Sequence, residues 1–256
     1  GQGSKAMGLS GEVVGEDLTS VLNGKVLEVD SEGNAREVQL GRTTIDKDSG
    51  DRKIEHRAGW DLTFAPPKSV SIESEVFGKS EVREAHERAV KTAMAYMENN
   101  AAQTRVNGKM VQTGNLTYAS FGHATSRAGD PQTHTHVLVA NVTYLDGRAY
   151  SLSNEKILQH RSTIDAVYKN ELASILQENG YKLEYDGRGN FEISGYRKSD
   201  LSEFSKRSEQ ISDALNARGA DRESASHESR QIAALATRND KSADHSESAS
   251  AHRDRW

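Results

Sequence analysis

The chain has 256 residues, 34% of them apolar and 28% charged, and a formal net charge of −5, enough length for one large domain or two small ones with a proper core. No run approaches the roughly 20 consecutive apolar residues of a membrane span, Gly1-Gln2-Gly3-Ser4-Lys5 is no signal peptide, and the lack of cysteine excludes disulfides and thiolate metal sites. The acidic balance counts only mildly against a nucleic-acid partner, because acidic and basic residues are interleaved and a groove covers part of a surface.

Gly8-Leu9-Ser10-Gly11 predicts a turn before a short helix around Asp17 to Leu22. Val29 to Arg57 is polar and punctuated by Gly33, Gly41 and Gly50, so it predicts loops or a weak hairpin. Trp60 to Phe64 reads as a short strand ended by Pro66 and Pro67. From Glu81 to Gln103, Val82, Ala85, Ala89, Val90, Ala93, Met94 and Met97 recur with a period of about 3.6, which predicts an amphipathic helix. Tyr96 and His86 lie within it as packing residues. Leu116 to His123 and His134 to Val142 alternate as strands, and Asp146-Gly147 signals a two-residue hairpin. A second long helix runs from Glu155 to Glu178 and stops at Gly180. Tyr181 to Ile193 reads as a hairpin turning through Asp186-Gly187-Arg188-Gly189, and a further helix covers Ser199 to Ala217. Beyond Arg218 there is almost no large apolar residue, so burial cannot offset the entropy of ordering. The expected organisation is one domain over residues 1–219 and a polar, flexible tail, at most a frayed helix, over 220–256. Hairpins separated by long helices predict an α+β fold, an antiparallel sheet with helices packed on one face.

The sharpest local feature is Thr133-His134-Thr135-His136. Strand residues two apart face the same way, so His134 and His136 project side by side. His123 closes the preceding strand, and the loop from Ala124 to Thr133 can fold it back beside them. Three neutral imidazoles leave coordination positions open, as a catalytic metal site requires. The bland alternative is a pair of histidines alternating on a half-exposed strand. A cupin-type glutamate after the His-x-His is missing, and so is a His-Glu-x-x-His helix.

Gly114-Asn115-Leu116, Gly122-His123-Ala124-Thr125-Ser126-Arg127 and Asp130-Pro131-Gln132-Thr133-His134-Thr135-His136 together resemble the three-histidine motif of the large relaxase–helicase proteins of conjugative plasmids. Trp60-Asp61-Leu62-Thr63-Phe64-Ala65-Pro66-Pro67-Lys68-Ser69-Val70-Ser71 and Phe204-Ser205-Lys206-Arg207-Ser208-Glu209-Gln210-Ile211 are similar to further stretches of that family, in family order. The resemblance implies strand-specific nicking and rejoining of single-stranded DNA at a plasmid transfer origin, in the bacterial cytoplasm. It implies a divalent ion (magnesium or manganese, with zinc as the alternative) on His123, His134 and His136, a monomeric domain, other transfer proteins as partners and a helicase region in the parent protein. It also places the nucleophilic tyrosine upstream of the block matching Gly1-Gln2-Gly3. That segment, like an initiating methionine, is not in this chain, so we expect a fragment inactive by itself.

The resemblance gives Asp61 the role of orienting a histidine ligand or the incoming tyrosine; otherwise it is a strand-end hydrogen-bonding group. Lys68 would meet phosphate, or be a solvated lysine at a helix start. Arg127, in the loop between the ligand strands, and Lys206 and Arg207, on a helix expected to close over DNA, are the DNA-binding candidates; each has an ordinary surface charge as its alternative. Two rival functions stay open: a metal- and DNA-binding module without catalysis, and a three-histidine hydrolase of small substrates.

Overall fold

The computed structural model describes residues 1–30, 32–46, 49–221 and 224–237. Helices α1 (Gln2–Ala6) and α2 (Gly15–Leu22) precede two hairpins, β1 (Lys25–Val29) with β2 (Ala35–Gln39) and β3 (Arg42–Ile45) with β4 (Arg52–Glu55). Next come β5 (Gly59–Phe64), α3 (Lys68–Glu75) and α4 (Ser80–Ala101), then the hairpin of β6 (Gln103–Val106) and β7 (Lys109–Gln112). Strands β8 (Tyr118–Thr125) and β9 (Pro131–Ala140) follow, then the hairpin of β10 (Thr143–Leu145) and β11 (Arg148–Tyr150). The rest is α5 (Glu155–Gln159), α6 (Arg161–Glu178), the hairpin β12 (Leu183–Tyr185) with β13 (Phe191–Ile193), α7 (Lys198–Glu203), α8 (Lys206–Asn216) and α9 (His227–Ala236). The hairpins and the β5–β9 pairing are antiparallel, and β9 lies between β5 and β8 in a three-stranded sheet. The α+β class is the one the sequence predicts.

Two compact units interleave along the chain. The first comprises Gly1–Phe64, Arg88–Phe121 and Thr135–Glu171; the second comprises Ala65–Glu87, Gly122–His134 and the described residues from Leu172 onward. In the first unit, Met7, Val21, Val26, Ala140, Val142, Tyr144 and Ala149 form a core cluster that gathers α2, β1, β10 and β11. The Tyr144 hydroxyl donates to the Leu27 carbonyl at 3.0 Å, and the Ala149 amide donates to Glu28 at 2.9 Å, which seats β1 on β11. Asp146 and Gly147 both have positive φ (52° and 77°), as the predicted tight hairpin turn requires. Asn107-Gly108 builds a like turn between β6 and β7 (φ 49° and 79°), a hairpin the sequence analysis overlooked.

In the second unit, α3 begins at Pro67 without a side-chain cap of its own. Glu192 of β13 supplies one: its carboxylate accepts from the Ser69 amide at 2.9 Å and from the Ser69 hydroxyl. A carboxylate there meets both an orphan amide and the positive end of the helix dipole.

Several expectations need correction. Residues 25–55 form two hairpins rather than loops or one weak hairpin. Asp30 ties the first together by accepting from the amides of Glu32 and Asn34 at 2.9 Å each. The long helix from Glu155 breaks at His160, and that from Ser199 breaks at Phe204-Ser205, where the Ser205 hydroxyl turns back onto the Leu201 carbonyl at 2.6 Å. Within the expected tail, α9 forms with Ser226 as N-cap, its hydroxyl accepting the Ser229 amide at 3.1 Å. Residues 238–256 lie outside the described ones.

Candidate metal centre

Strand β9 alternates strictly: Thr133, Thr135, Val137 and Val139 are buried, while Gln132, His134, His136 and Leu138 are half-buried. His134 and His136 therefore share one strand face, as their spacing predicts. The His134 Nδ1 lies 3.0 Å from the Gln132 carbonyl oxygen. A carbonyl only accepts, so this nitrogen carries the proton and the lone pair sits on Nε2. His136 follows the same logic with a different partner: its Nδ1 is 2.9 and 3.0 Å from the two oxygens of Asp61. Thr63 pairs directly with His136 across the β5–β9 ladder, and its hydroxyl is 3.2 Å from the same nitrogen. Asp61, two residues back on β5, reaches the ring diagonally, as cross-strand neighbours do.

His123, on β8, stacks on His134 with ring centroids 5.1 Å apart and planes inclined by 19°. Among the described residues, no group of three or more His, Asp or Glu side chains is already placed to hold an ion. The donor chemistry nonetheless fits a divalent transition ion, because two imidazoles have their Nδ1 atoms committed to acceptors and their lone pairs on Nε2.

Lys68, Arg127, Lys206 and Arg207 lie in the second unit, with His134. Lys68 is half-buried and donates from Nζ to the Pro131 carbonyl at 3.0 Å, at the foot of β9. Burial pushes its pKa down, against the opposing pull of Asp130 and Glu192. It is thus not a fully solvated lysine. Arg127 is exposed in a turn built by Ser126 and Asp130: the Ser126 hydroxyl accepts the Asp130 amide at 3.2 Å, and Asp130 is 3% exposed. Asp130 also accepts the Arg207 amide at 3.3 Å, which ties the start of α8 to this turn.

Lys206 is exposed, whereas the Arg207 side chain turns away from solvent. The Arg207 guanidinium donates to the carbonyls of Thr237 and Ala234 at 2.7 Å each, covering the carbonyl end of α9. Sequence reasoning offered Arg207 as a DNA contact; in this structure its guanidinium is engaged by α9. Asp130 and Ser126 carried no separate signal, since each is an ordinary polar residue until its partner is known.

His86 is 1% exposed on the apolar face of α4, as expected of a core histidine. Its pKa is pushed down to about 4, mainly by burial and further by the charge of a protonated His134. Tyr118, Tyr144, Tyr168 and Tyr196 have pKa values raised chiefly by burial, and Tyr181 is pushed up to about 12. That is the wrong direction for a ready nucleophile. The Tyr96 hydroxyl is 3.1 Å from the His160 Nδ1, consistent with a packing role.

A family model described as TrwC relaxase matches residues 1–256. The Multifunctional conjugation protein TraI of Escherichia coli is 36% identical over 255 positions, which cover 94% of this chain and 13% of that protein. The chain thus spans a small part of the length of such relatives. A copper-bound structure of the conjugative relaxase TrwC in complex with OriT DNA superposes with a TM-score of 0.82 at 37% identity, covering 100% of this chain and 83% of that one. A structure of TrwC with a 27-mer DNA comprising the recognition hairpin and the cleavage site gives 0.83 at 36% identity, covering 100% and 87%.

Proposed function

The chain belongs to the TrwC relaxase family, and from that premise we propose that it nicks and rejoins one DNA strand at the transfer origin of a conjugative plasmid. It does so in the bacterial cytoplasm, as a monomeric domain of a larger conjugation protein that also has a helicase region and works with other transfer proteins. The observation that carries the reading is the pair of locked imidazoles on β9, with Asp61 bracing His136 and the Gln132 carbonyl bracing His134.

The reaction is a transesterification. A tyrosine oxygen, which the family resemblance places upstream of Gly1, attacks the scissile phosphorus. The tyrosine hydroxyl gives up its proton as a Tyr–O–P bond forms, the P–O3′ bond breaks, and the departing 3′ oxygen takes up a proton. The phosphodiester energy is kept for the reverse step, in which the 3′ hydroxyl displaces the tyrosine. His123, His134 and His136 are the ligands we assign to a divalent ion, which supplies Lewis acidity and a template for the phosphate when bound. Copper-bound and metal-bound structures of TrwC support a divalent ion in the family; its place on these histidines, and magnesium or manganese as the working ion, are our assignments. Asp61 holds His136 in one tautomer and orientation. Lys68 steadies the foot of β9 and adds positive charge beside it. Arg127 and Lys206, both exposed, are the cations we assign to DNA phosphates.

The test has two arms. Binding to a fluorescent single-stranded transfer-origin oligonucleotide should weaken steeply between about 50 and 200 mM salt, because phosphate contacts release counterions. Joined to a tyrosine-bearing upstream segment, the chain should cleave that oligonucleotide with a divalent ion and leave a protein-linked 5′ end. Salt-independent binding would remove DNA as the partner. Binding without cleavage would leave a metal- and DNA-binding module.

A further inference from the structure

The threonine next to His134 is held in a way that nothing about DNA binding requires. Thr133 lies on the buried face of β9, and α3 grips it at three points. Its amide donates to the Ser71 hydroxyl at 3.3 Å, its hydroxyl donates to Glu75 Oε1 at 2.9 Å, and the Ser74 hydroxyl pairs with the Thr133 hydroxyl. The Glu75 side chain is only 3% exposed. Its second oxygen meets Arg83 Nη2 at 3.1 Å, and that nitrogen also donates to the Ser74 carbonyl at 3.0 Å.

A carboxylate this deep carries a large desolvation cost, so apolar side chains replacing it together with its polar partners would serve stability as well or better. What it supplies is register. Residues 131–136 read Pro-Gln-Thr-His-Thr-His, with no aliphatic side chain to distinguish one face from the other. A slip of one residue would send both histidines into the interior and both threonines to the metal face. The aliphatic pattern that resists slippage begins only at Val137.

We propose that Glu75, with Ser71 and Ser74, is a positioning residue for the metal centre: by clamping Thr133 it pins the register of β9 and hence the place of the His134 ring. The inference rests on the metal reading above, and the experiment separates the two. Mn2+ affinity is measured by calorimetry, alongside the unfolding midpoint, for the unaltered chain and for Thr133→Val, Glu75→Ala, Glu75→Gln, His134→Ala and Ile193→Val. Ile193→Val trims the core of the same unit without touching the clamp.

Thr133→Val, nearly isosteric and lacking only the hydroxyl, should lower Mn2+ affinity about tenfold or more, the usual scale for losing support behind a ligand. Glu75→Ala should match it, and Glu75→Gln, which keeps an acceptor oxygen, should recover part of the loss. Ile193→Val should lower the midpoint and leave affinity alone. Thr133→Val binding within twofold of the unaltered chain overturns the proposal, and so does an equal affinity loss in Ile193→Val. If Glu75→Ala does not fold, Thr133→Val alone decides. If the unaltered chain takes up no Mn2+, or His134→Ala binds it as well, the metal assignment falls and this inference falls with it. Loss in His134→Ala but not in Thr133→Val removes the clamp alone.

Discussion

Deleting the Asp61 carboxylate tests whether β5 braces the His136 ring. Asp61→Ala removes two acceptors at 2.9 and 3.0 Å from Nδ1 and leaves the Thr63 hydroxyl at 3.2 Å as a fallback. A hydrogen bond to a charged group contributes about 1.5–3 kcal/mol. Here the two side chains are 53% and 36% exposed, so solvent competes for both. The discounted figure is about 1 kcal/mol, or roughly fivefold in metal affinity. Thr63→Val alone should cost less than twofold, because Asp61 still holds the nitrogen. The double variant should lose more than the sum of the singles, since Nδ1 then lacks both acceptors and the ring is no longer held in the metal-binding tautomer. Calorimetry with Mn2+ at fixed pH and salt reads the four corners of this cycle, and thermal melts confirm that each protein is folded. An unchanged affinity in Asp61→Ala refutes the brace; strict additivity refutes the fallback.

Three further outcomes are expected. His86 titrates near 4 in the fold against 6.5 in an open chain, so the unfolded state binds more protons between those values. Metal-free stability should therefore fall as pH drops from about 6.5 to 4, by up to about 3 kcal/mol, and a His86→Leu protein showing the same slope would clear His86 as its source. Arg207→Ala frees two α9 carbonyls now held at 2.7 Å, so amide exchange in α9 should quicken with little change in DNA affinity; the opposite pattern would return Arg207 to a phosphate role. In Gly147→Ala, a φ of 77° is combined with a Cβ only 2.5 Å from the Val29 carbonyl oxygen. That should cost about 1–3 kcal/mol and several degrees of melting midpoint, and an unmoved midpoint would mean the turn relaxes at no cost.

What was legible depended on whether burial differed between faces. On α4, the residues at helical spacing are the buried ones: Val82, Ala85, Ala89, Ala93, Met94 and Met97 are all 0% exposed. On β4 every residue is exposed, and β2 and β3 are nearly so, leaving no alternation to read. Polar turn chemistry, such as Asp30 accepting two amides, makes those hairpins. The breaks at His160 and Ser205 also lie outside the apolar pattern, because side-chain contacts with Tyr96 and the Leu201 carbonyl accompany them. The stretch holding α9 was read as tail or at most frayed helix because large apolar residues are scarce beyond Arg218; an arginine clasp from α8 was not visible in composition.

The histidine pair was legible because two-residue spacing on a strand is itself geometry, while its supports came from distant parts of the chain. Helix α3 shows why. Ser69, Ser71, Ser74 and Glu75 look like a solvated helix face, yet they are 0%, 1%, 0% and 2% exposed. A helix can bury such residues only if other elements answer them. Thr133 and Glu192 do so, separated from their partners by 58 and 123 residues, and the Ile193 amide donates to the Ser69 hydroxyl at 2.8 Å. The serines and the glutamate thus join the strand bearing His134 to the hairpin of β12 and β13. Polar groups joined in this way tolerate loss poorly, since each deletion leaves a buried partner unmet. Isosteric changes on α3 should accordingly cost more than the same changes on the exposed face of α8, although the two sequences look equally hydrophilic.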